Sequence, residues 1–208
     1  MAKKANQRKP PTQELILAAA IKLFLEQGYR ESNLDDVAKV AGVTKPTVYS
    51  HFGSKHGLLL AIVQQHAEGN AQRISTSLQS SGDTEADLLQ FGQVFLSRLL
   101  SRDAMRWRRL ALSETIDHPE IGKAIYAAGP ARVIKAMTNY LKQETLAGRL
   151  CCEDPAMAAE AFIGMLVGIQ PIRDCAGKPM PGKAKQEKIC QSAVKMFLAA
   201  YGLEATGN

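Results

Sequence analysis

Aromatic side chains are scarce in this chain, 6% of 208 residues, with a single tryptophan. Val, Ile, Thr and Tyr do not cluster, and few windows alternate apolar with polar residues, so a sheet has little to be built from. Cysteine is sparse too. Cys151, Cys152, Cys175 and Cys190 contain no CxxC pair and have no histidine close by in sequence, which argues against a zinc site. Adjacent cysteines such as Cys151 and Cys152 rarely bridge each other, so reduced thiols are expected. Nothing marks any of the four as a low-pKa thiolate, the requirement for a redox sensor. Residues 1–11 are polar and basic and lack the apolar centre of a signal peptide. The apolar runs at 58–63 and 156–170 are short for a membrane span. The expectation is a soluble cytoplasmic protein with no membrane partner. Catalytic parts are missing as well. There is no nucleophile–base pair, no metal-ligand cluster and no Gly-rich phosphate loop, and the four histidines are dispersed. No enzymatic activity, metal or cofactor is expected.

What the chain has in quantity is Ala, Leu, Lys, Glu and Gln, all good helix formers. With 46% hydrophobic and 22% charged residues it can bury a proper core, as one domain or two small ones. The formal charge is +6. Residues 1–60 carry nine Lys/Arg against five Asp/Glu, and residues 61–208 carry seventeen against fifteen. Lys3, Lys4, Arg8 and Lys9 supply nearly all of the N-terminal excess. A basic arm suits phosphate contact, and it equally fits a disordered solubilising tail.

Helix punctuation is clear. A first helix follows Pro10 and Pro11, with Thr12 near its N-cap, and ends before Gly28. Ile16, Ala20, Leu23, Phe24 and Gln27 follow its three-and-four spacing. A second starts at Asn33 as N-cap, with Asp36 three residues on in a capping-box-like arrangement, and stops at Gly42. A short third helix runs from about Lys45 to His51, with Pro46 in its first turn. A fourth begins after Ser54. Further helices are expected at about 85–100, 104–116, 117–147 with a kink or break at Gly129 and Pro130, 155–170 and 184–201. Residues 171–182 read as a loop. The fold class is all-α, about nine helices and no sheet. The expected organisation is an arm at 1–11, a helix-turn-helix domain at 12–54 and a larger helical domain at 55–208.

The informative stretch is 34–52, LDDVAKVAGVTKPTVYSHF. It is a helix, a tight Gly-containing turn and a second short helix, the layout of a helix-turn-helix unit. Ala38 is small enough for close packing, Gly42 frees the turn, and Val37, Val43 and Val48 are placed to fill the wedge. The exposed face of the second helix then carries Thr44, Lys45, Thr47, Tyr49 and Ser50, groups able to reach base edges or phosphates. Lys45 suits guanine acceptors in the major groove, and Tyr49 suits a phosphate oxygen. Phe52 reads as a core aromatic. His51 is open between a phosphate contact and a packed imidazole, and Lys55 between a phosphate contact and an ordinary surface charge. Spacing alone leaves DNA binding and a plain helical hairpin both standing.

Residues 12–63 resemble the N-terminal domain of the TetR/AcrR family of regulators. The resemblance is carried by ILAAAIKLFLEQGY (16–29) and LDDVAKVAGVTKPTVYSHFGSKHGLLLAI (34–62), with AGV, TVY, HF, SK and LL at family spacings. It implies a recognition helix at 45–51 that docks on operator DNA. It implies base contacts for Lys45, Pro46 and Thr47, and phosphate contacts for Tyr49, His51 and Lys55. Lys55 has a physical reason besides, since a helix N-terminus with an ammonium attracts phosphate. Asn33 and Thr44 are implied at the groove edge. Pro46 departs from the glycine many members carry, which puts a base contact there in doubt.

Residues 108–150 are similar to the AefR-like C-terminal subgroup. In the family, the helices beyond the fourth build a homodimer and a ligand cavity. Candidate cavity residues are Phe91, Phe95, Trp107, Leu110, Ala111, Glu114, Phe162 and Met165, a mix of apolar groups with one carboxylate. Each also reads as plain core. Glu114 is either a pocket group or a partner for Arg73 or Arg132. The candidate dimer face comprises Gly164, Gly168, Ile189, Ala193, Met196 and Phe197. A stripe at such spacing is usually intramolecular core, and exposure to a twin subunit is the alternative. The implied activity is repression, relieved when a small apolar or aromatic inducer lowers operator affinity. The alternative is a nucleoid-associated or cell-division regulator that uses the same DNA-binding domain without a small-molecule ligand.

Overall fold

Helix punctuation by Pro, Gly and short polar caps governs the backbone throughout. A computed structural model describes residues 11–203; the basic arm with Lys3, Lys4, Arg8 and Lys9 lies outside the described residues. Among the described residues there are eleven helices and no strand, only an isolated bridge between Leu150 and Gly202. The chain divides into two compact units, one running to Gln64 and the other starting at Gln65.

The first unit contains α1 (Thr12–Glu26), α2 (Leu34–Ala41), α3 (Lys45–Phe52) and the start of α4 (Lys55–Ser75). α1 begins directly after Pro11, with no side-chain cap, so Thr12 is its first helical residue rather than its cap. Its apolar face, Ile16, Ala20, Leu23 and Phe24, is buried, and Phe24 meets the Tyr29 ring edge-on at 5.3 Å. α2 packs on α1 and on α3. Leu58, Leu59, Ile62 and Val63 of α4 are buried as well.

The second unit contains the rest of α4, then α5 (Thr84–Leu99), α6 (Arg102–Glu114), α7 (Pro119–Ala128), α8 (Pro130–Leu146), α9 (Pro155–Val167), α10 (Gln170–Cys175) and α11 (Lys183–Tyr201). Asp83, Ser101 and Asp154 cap α5, α6 and α9 through side-chain oxygens that accept from backbone N–H groups, the expected role of these residue types. The interruption at Gly129 is a full break. Pro130 cannot donate the N–H that a continuous helix needs, so α7 ends and α8 begins there. The loop expected over 171–182 needs correction, because its first five residues are helical. Gly168, at φ +47°, ends α9, and α10 forms immediately after it. Asp174 of α10 is buried between the guanidinium groups of Arg108 and Arg109 of α6, which pull its carboxyl below the usual carboxylate range. The stretch Pro155–Cys175 is, by length and composition alone, apolar enough to cross a membrane, but Gly168 divides it into α9 and α10, each shorter than a span.

The core of this unit lies among α5, α8, α9 and α11. Phe91, Phe95, Phe162 and Phe197 form one aromatic chain, with successive ring centroids 5.7, 6.1 and 5.0 Å apart across the pairs 91–95, 91–162 and 162–197. A buried polar cluster closes one end. Glu144, fully buried, accepts from Ser80 and Thr84 at 2.6 Å each and from Arg149 at 2.7 and 2.8 Å. These donors, Arg149 foremost, hold its carboxyl down at about 2. Tyr140 donates its hydroxyl to Asp87 at 3.1 Å beside it.

Candidate nucleic-acid interface

The α2–α3 hairpin is specified residue by residue. Asn33 caps α2 by accepting from the Asp36 amide at 2.8 Å, and its own side-chain amide donates to the Asp36 carboxylate at 2.8 Å. The N-cap bond is the one read from the sequence, while the return bond runs between the two side chains rather than to the Asn33 backbone N–H of a capping box. Gly42 ends the helix in the left-handed region at φ +68°, where a Cβ is strained. The Val43 amide then donates back to Ala38 at 3.0 Å, completing a compact helix stop. Thr44 caps α3 by accepting from the Thr47 amide, and the two threonine hydroxyls lie 2.8 Å apart. Pro46 occupies the first turn, where an N–H has no partner in the helix.

Packing sorts α3 into two faces. Val48 is fully buried against α2, where Val37 and Ala38 are buried too. Val43 and Phe52 are half-buried, so Phe52 closes the unit only in part. Thr44, Lys45, Pro46, Tyr49, Ser50 and His51 are exposed, Tyr49 to 45%, and Thr47 is half-buried. His51 therefore resolves to the surface, its ring tilted against Phe52 at 6.1 Å. Five side chains of the eight-residue helix, with its cap Thr44, thus stand away from its supporting core. A short helix with one buried anchor and a polar outer face has the shape of an element that enters a major groove.

The two candidate lysines are both held. The Lys45 ammonium donates to Asp35 in the first turn of α2 at 2.7 Å. That bond and the carboxylate charge raise the lysine's pKa, so it stays protonated. Lys55 donates to the Arg30 carbonyl at 3.0 Å and lies over the Tyr29 ring, 4.6 Å from its centroid. Sequence reasoning missed Asp35 and Tyr29 as partners. No local pattern singles out Asp35, because its partner stands ten residues further on.

The candidate cavity residues do not form one set. Phe91, Phe95 and Phe162 are buried in the aromatic core and are consumed by packing against one another. Trp107, Ala111 and Glu114 are buried on α6 outside that cluster, with Leu110 half-buried. His66 of α4 lies against the Trp107 ring at 6.1 Å and within 3.0 Å of the Asn70 amide; burial lowers its pKa, with Asp103 opposing. Arg132 pairs with Glu68 at 3.0 Å. Met165 lies elsewhere, in an open surface groove of about 590 Å³ that it lines with Ile189, Met196, Lys185 and Lys188.

The dimer-face candidates also split. Ala193 and Phe197 point inward and are 1% and 0% exposed, which corrects their assignment to a subunit interface. Helix periodicity explains this, since Cys190, Ala193, Val194 and Phe197 share the face of α11 that meets α5 and α9. Met196, Gly164 and Gly168 are exposed, Ile189 is half-buried, and Ile169 and Ile172 add apolar surface beside them. Cys151 and Cys175 are exposed; burial pushes the Cys190 thiol up to about 11 and raises Cys152 as well.

Comparison with known proteins gives these features a context. Residues 86–203 match the family described as AefR-like transcriptional repressor, C-terminal domain, and residues 16–62 match the bacterial regulatory proteins of the tetR family. The transcriptional activator FasR of Mycolicibacterium smegmatis is 28% identical over 116 residues, 56% of this chain and 52% of that one, so the match spans about half of that relative. A TetR-family regulator from Mesorhizobium loti has a solved structure that superposes with a TM-score of 0.86 at 28% identity, covering 92% of this chain and 97% of that one. The flavonoid-responsive regulator FrrA superposes with a TM-score of 0.80 at 27% identity, over 93% and 98% of the two chains.

Proposed function

The chain belongs to the TetR family of DNA-binding transcriptional regulators, with an AefR-like C-terminal domain, and from that premise we propose that it is a homodimeric repressor released from a palindromic operator by a small apolar or aromatic inducer. The observation that carries the DNA-binding assignment is the outer face of α3. Lys45, Pro46, Tyr49, Ser50 and His51 are exposed while Val48 alone is fully buried. In this reading Lys45, Pro46 and Thr47 approach base edges. Tyr49, His51 and Lys55 approach phosphates, with Asn33 and Thr44 at the groove edge.

Dimerisation supplies the second recognition helix, about 34–36 Å away along the duplex. The surface that fits a twin subunit is the exposed apolar side of α9 and α10 with the outer face of α11: Ile169, Ile172, Met196 and the glycines 164 and 168. The inducer site is assigned to α4 and α6, around Trp107, Leu110, Ala111, Glu114 and His66. A planar ring system could stack there and bond to a polar group. An inducer that prefers a conformer with a different recognition-helix separation lowers operator affinity by the ratio of its two affinities. The AefR-like repressor description of residues 86–203 supports repression, whereas the relative FasR is an activator.

Genome-wide mapping of the bound protein tests the assignment. One or a few promoters with palindromic sites are expected. Many dispersed sites without a palindrome would instead favour the nucleoid-associated or division regulator. A thermal-shift screen of aromatic compounds then tests the inducer. A genuine one raises the melting temperature and weakens operator binding.

A further inference from the structure

The ion pair between Asp35 and Lys45 ties the first turn of α2 to the first residue of α3. It is not needed to hold the hairpin. Val37 and Val48 fill its interior, Asn33 and Thr44 cap its helices, and Gly42 makes its turn. Both side chains are open to water, 45% exposed for Lys45 and 64% for Asp35, and such pairs contribute little to stability. On a surface meant for a polyanion a carboxylate is moreover repelled. Its position therefore calls for another role.

A lysine ammonium is a compact charge on a flexible stem, attracted to any phosphate oxygen regardless of sequence. Left free at the tip of α3, Lys45 would strengthen binding to all DNA alike. We propose that Asp35 is a specificity-determining residue of the DNA interface: it holds the Lys45 ammonium back from phosphates and yields it only to a base edge with two acceptors. The inference rests on the reading of α3 as the recognition helix. On unrelated sequence, Lys45 stays on Asp35, neutralises no phosphate and releases no counterion. On the operator, guanine O6 and N7 replace the carboxylate as acceptors, and the exposed pair opens at small cost. Asp35 therefore weakens non-specific binding more than specific binding.

The test measures affinity against salt concentration for a mixed-sequence duplex and for a duplex recovered by in vitro selection. It uses the full chain and the variants Asp35→Asn, Glu31→Gln, Lys45→Ala and Asp35→Asn/Lys45→Ala. Glu31 is an exposed carboxylate of the same unit whose neutralisation controls for charge alone. Melting curves confirm that each variant is folded. Asp35→Asn should bind the mixed-sequence duplex about 3- to 10-fold more tightly, with a salt slope steeper by about 0.9 for the one added phosphate contact. Its gain on the selected duplex should be smaller, so the specificity ratio falls. The excess over Glu31→Gln should vanish in the Lys45→Ala background. Equal gains on both duplexes, a gain no larger than that of Glu31→Gln, or a gain that persists without Lys45 would each overturn the proposal. Failure of the underlying reading looks different: the unmodified chain then binds neither duplex, or Lys45→Ala changes nothing.

Discussion

Each unit of this protein carries a carboxylate bonded to a basic side chain, and the two are built in opposite ways. In the first unit, Asp35 and Lys45 meet in water through a single bond. In the second, Glu144 is fully buried and accepts four bonds from Ser80, Thr84 and Arg149. The first pair can be exchanged for an outside partner at little cost, because water already competes for both groups. The second cannot, because opening it strands a charge in the interior. An acid–base pair is thus open to exchange in one unit and fixed in the other, and solvent exposure decides which.

The contrast breaks most visibly in the core. Phe162→Ala removes the ring that joins Phe91 to Phe197 and should cost about 3–5 kcal/mol in denaturant unfolding of the second unit. A cost below about 1 kcal/mol would mean the aromatic chain is not the packing centre. Next is Glu144→Gln, which leaves Arg149 without its charge partner and should cost about 2 kcal/mol at neutral pH. Its pH dependence carries a sign. The Glu144 carboxyl is held down at about 2 from an ordinary 4.5, so its contribution is full above pH 4.5 and fades as pH falls towards 2. The stability of the unmodified chain should drop through that window more steeply than that of Glu144→Gln, as read by urea midpoints at each pH.

Recognition should show the reverse profile. Lys45→Ala and Tyr49→Ala change exposed side chains, so each should shift stability by less than about 0.5 kcal/mol. Each should also weaken operator binding about tenfold, the effect of one good contact. Smallest is Gly42→Ala. The new Cβ would meet no atom within 4 Å, so only the left-handed backbone opposes it. The cost should be about 1 kcal/mol in thermal unfolding, with a parallel loss of DNA affinity from the displaced α3.

The hairpin was legible in the sequence because its signals are local. Asn33 with Asp36, Gly42, and Pro46 each act within four residues, and the structure has each where the pattern puts it; the capping role of Thr44 was not read. The break at Gly129 and Pro130 was legible for the same reason. What escaped depends on distance in sequence. Helical spacing put Ala193 and Phe197 in line with Met196, yet it could not say which side of α11 meets α5 and α9. Phe91 and Phe162 read both as cavity and as core residues, and their mutual packing decides for core. Asp35 and Lys45 are joined across a turn whose shape no local rule provides. The helix at 170–175 was hidden by the proline and glycine that flank it; Pro171 falls in its first turn, where proline is tolerated.

The central claim is that α3 presents its outer face to a DNA groove. It is tested most directly by fluorescence anisotropy of the full chain on its selected duplex over a salt series, alongside Lys45→Ala and Tyr49→Ala. The account predicts tight binding that falls by about three orders of magnitude between roughly 50 and 200 mM salt, and a weaker complex for both folded variants. Binding that ignores salt, or variants that bind like the unmodified chain, would contradict it.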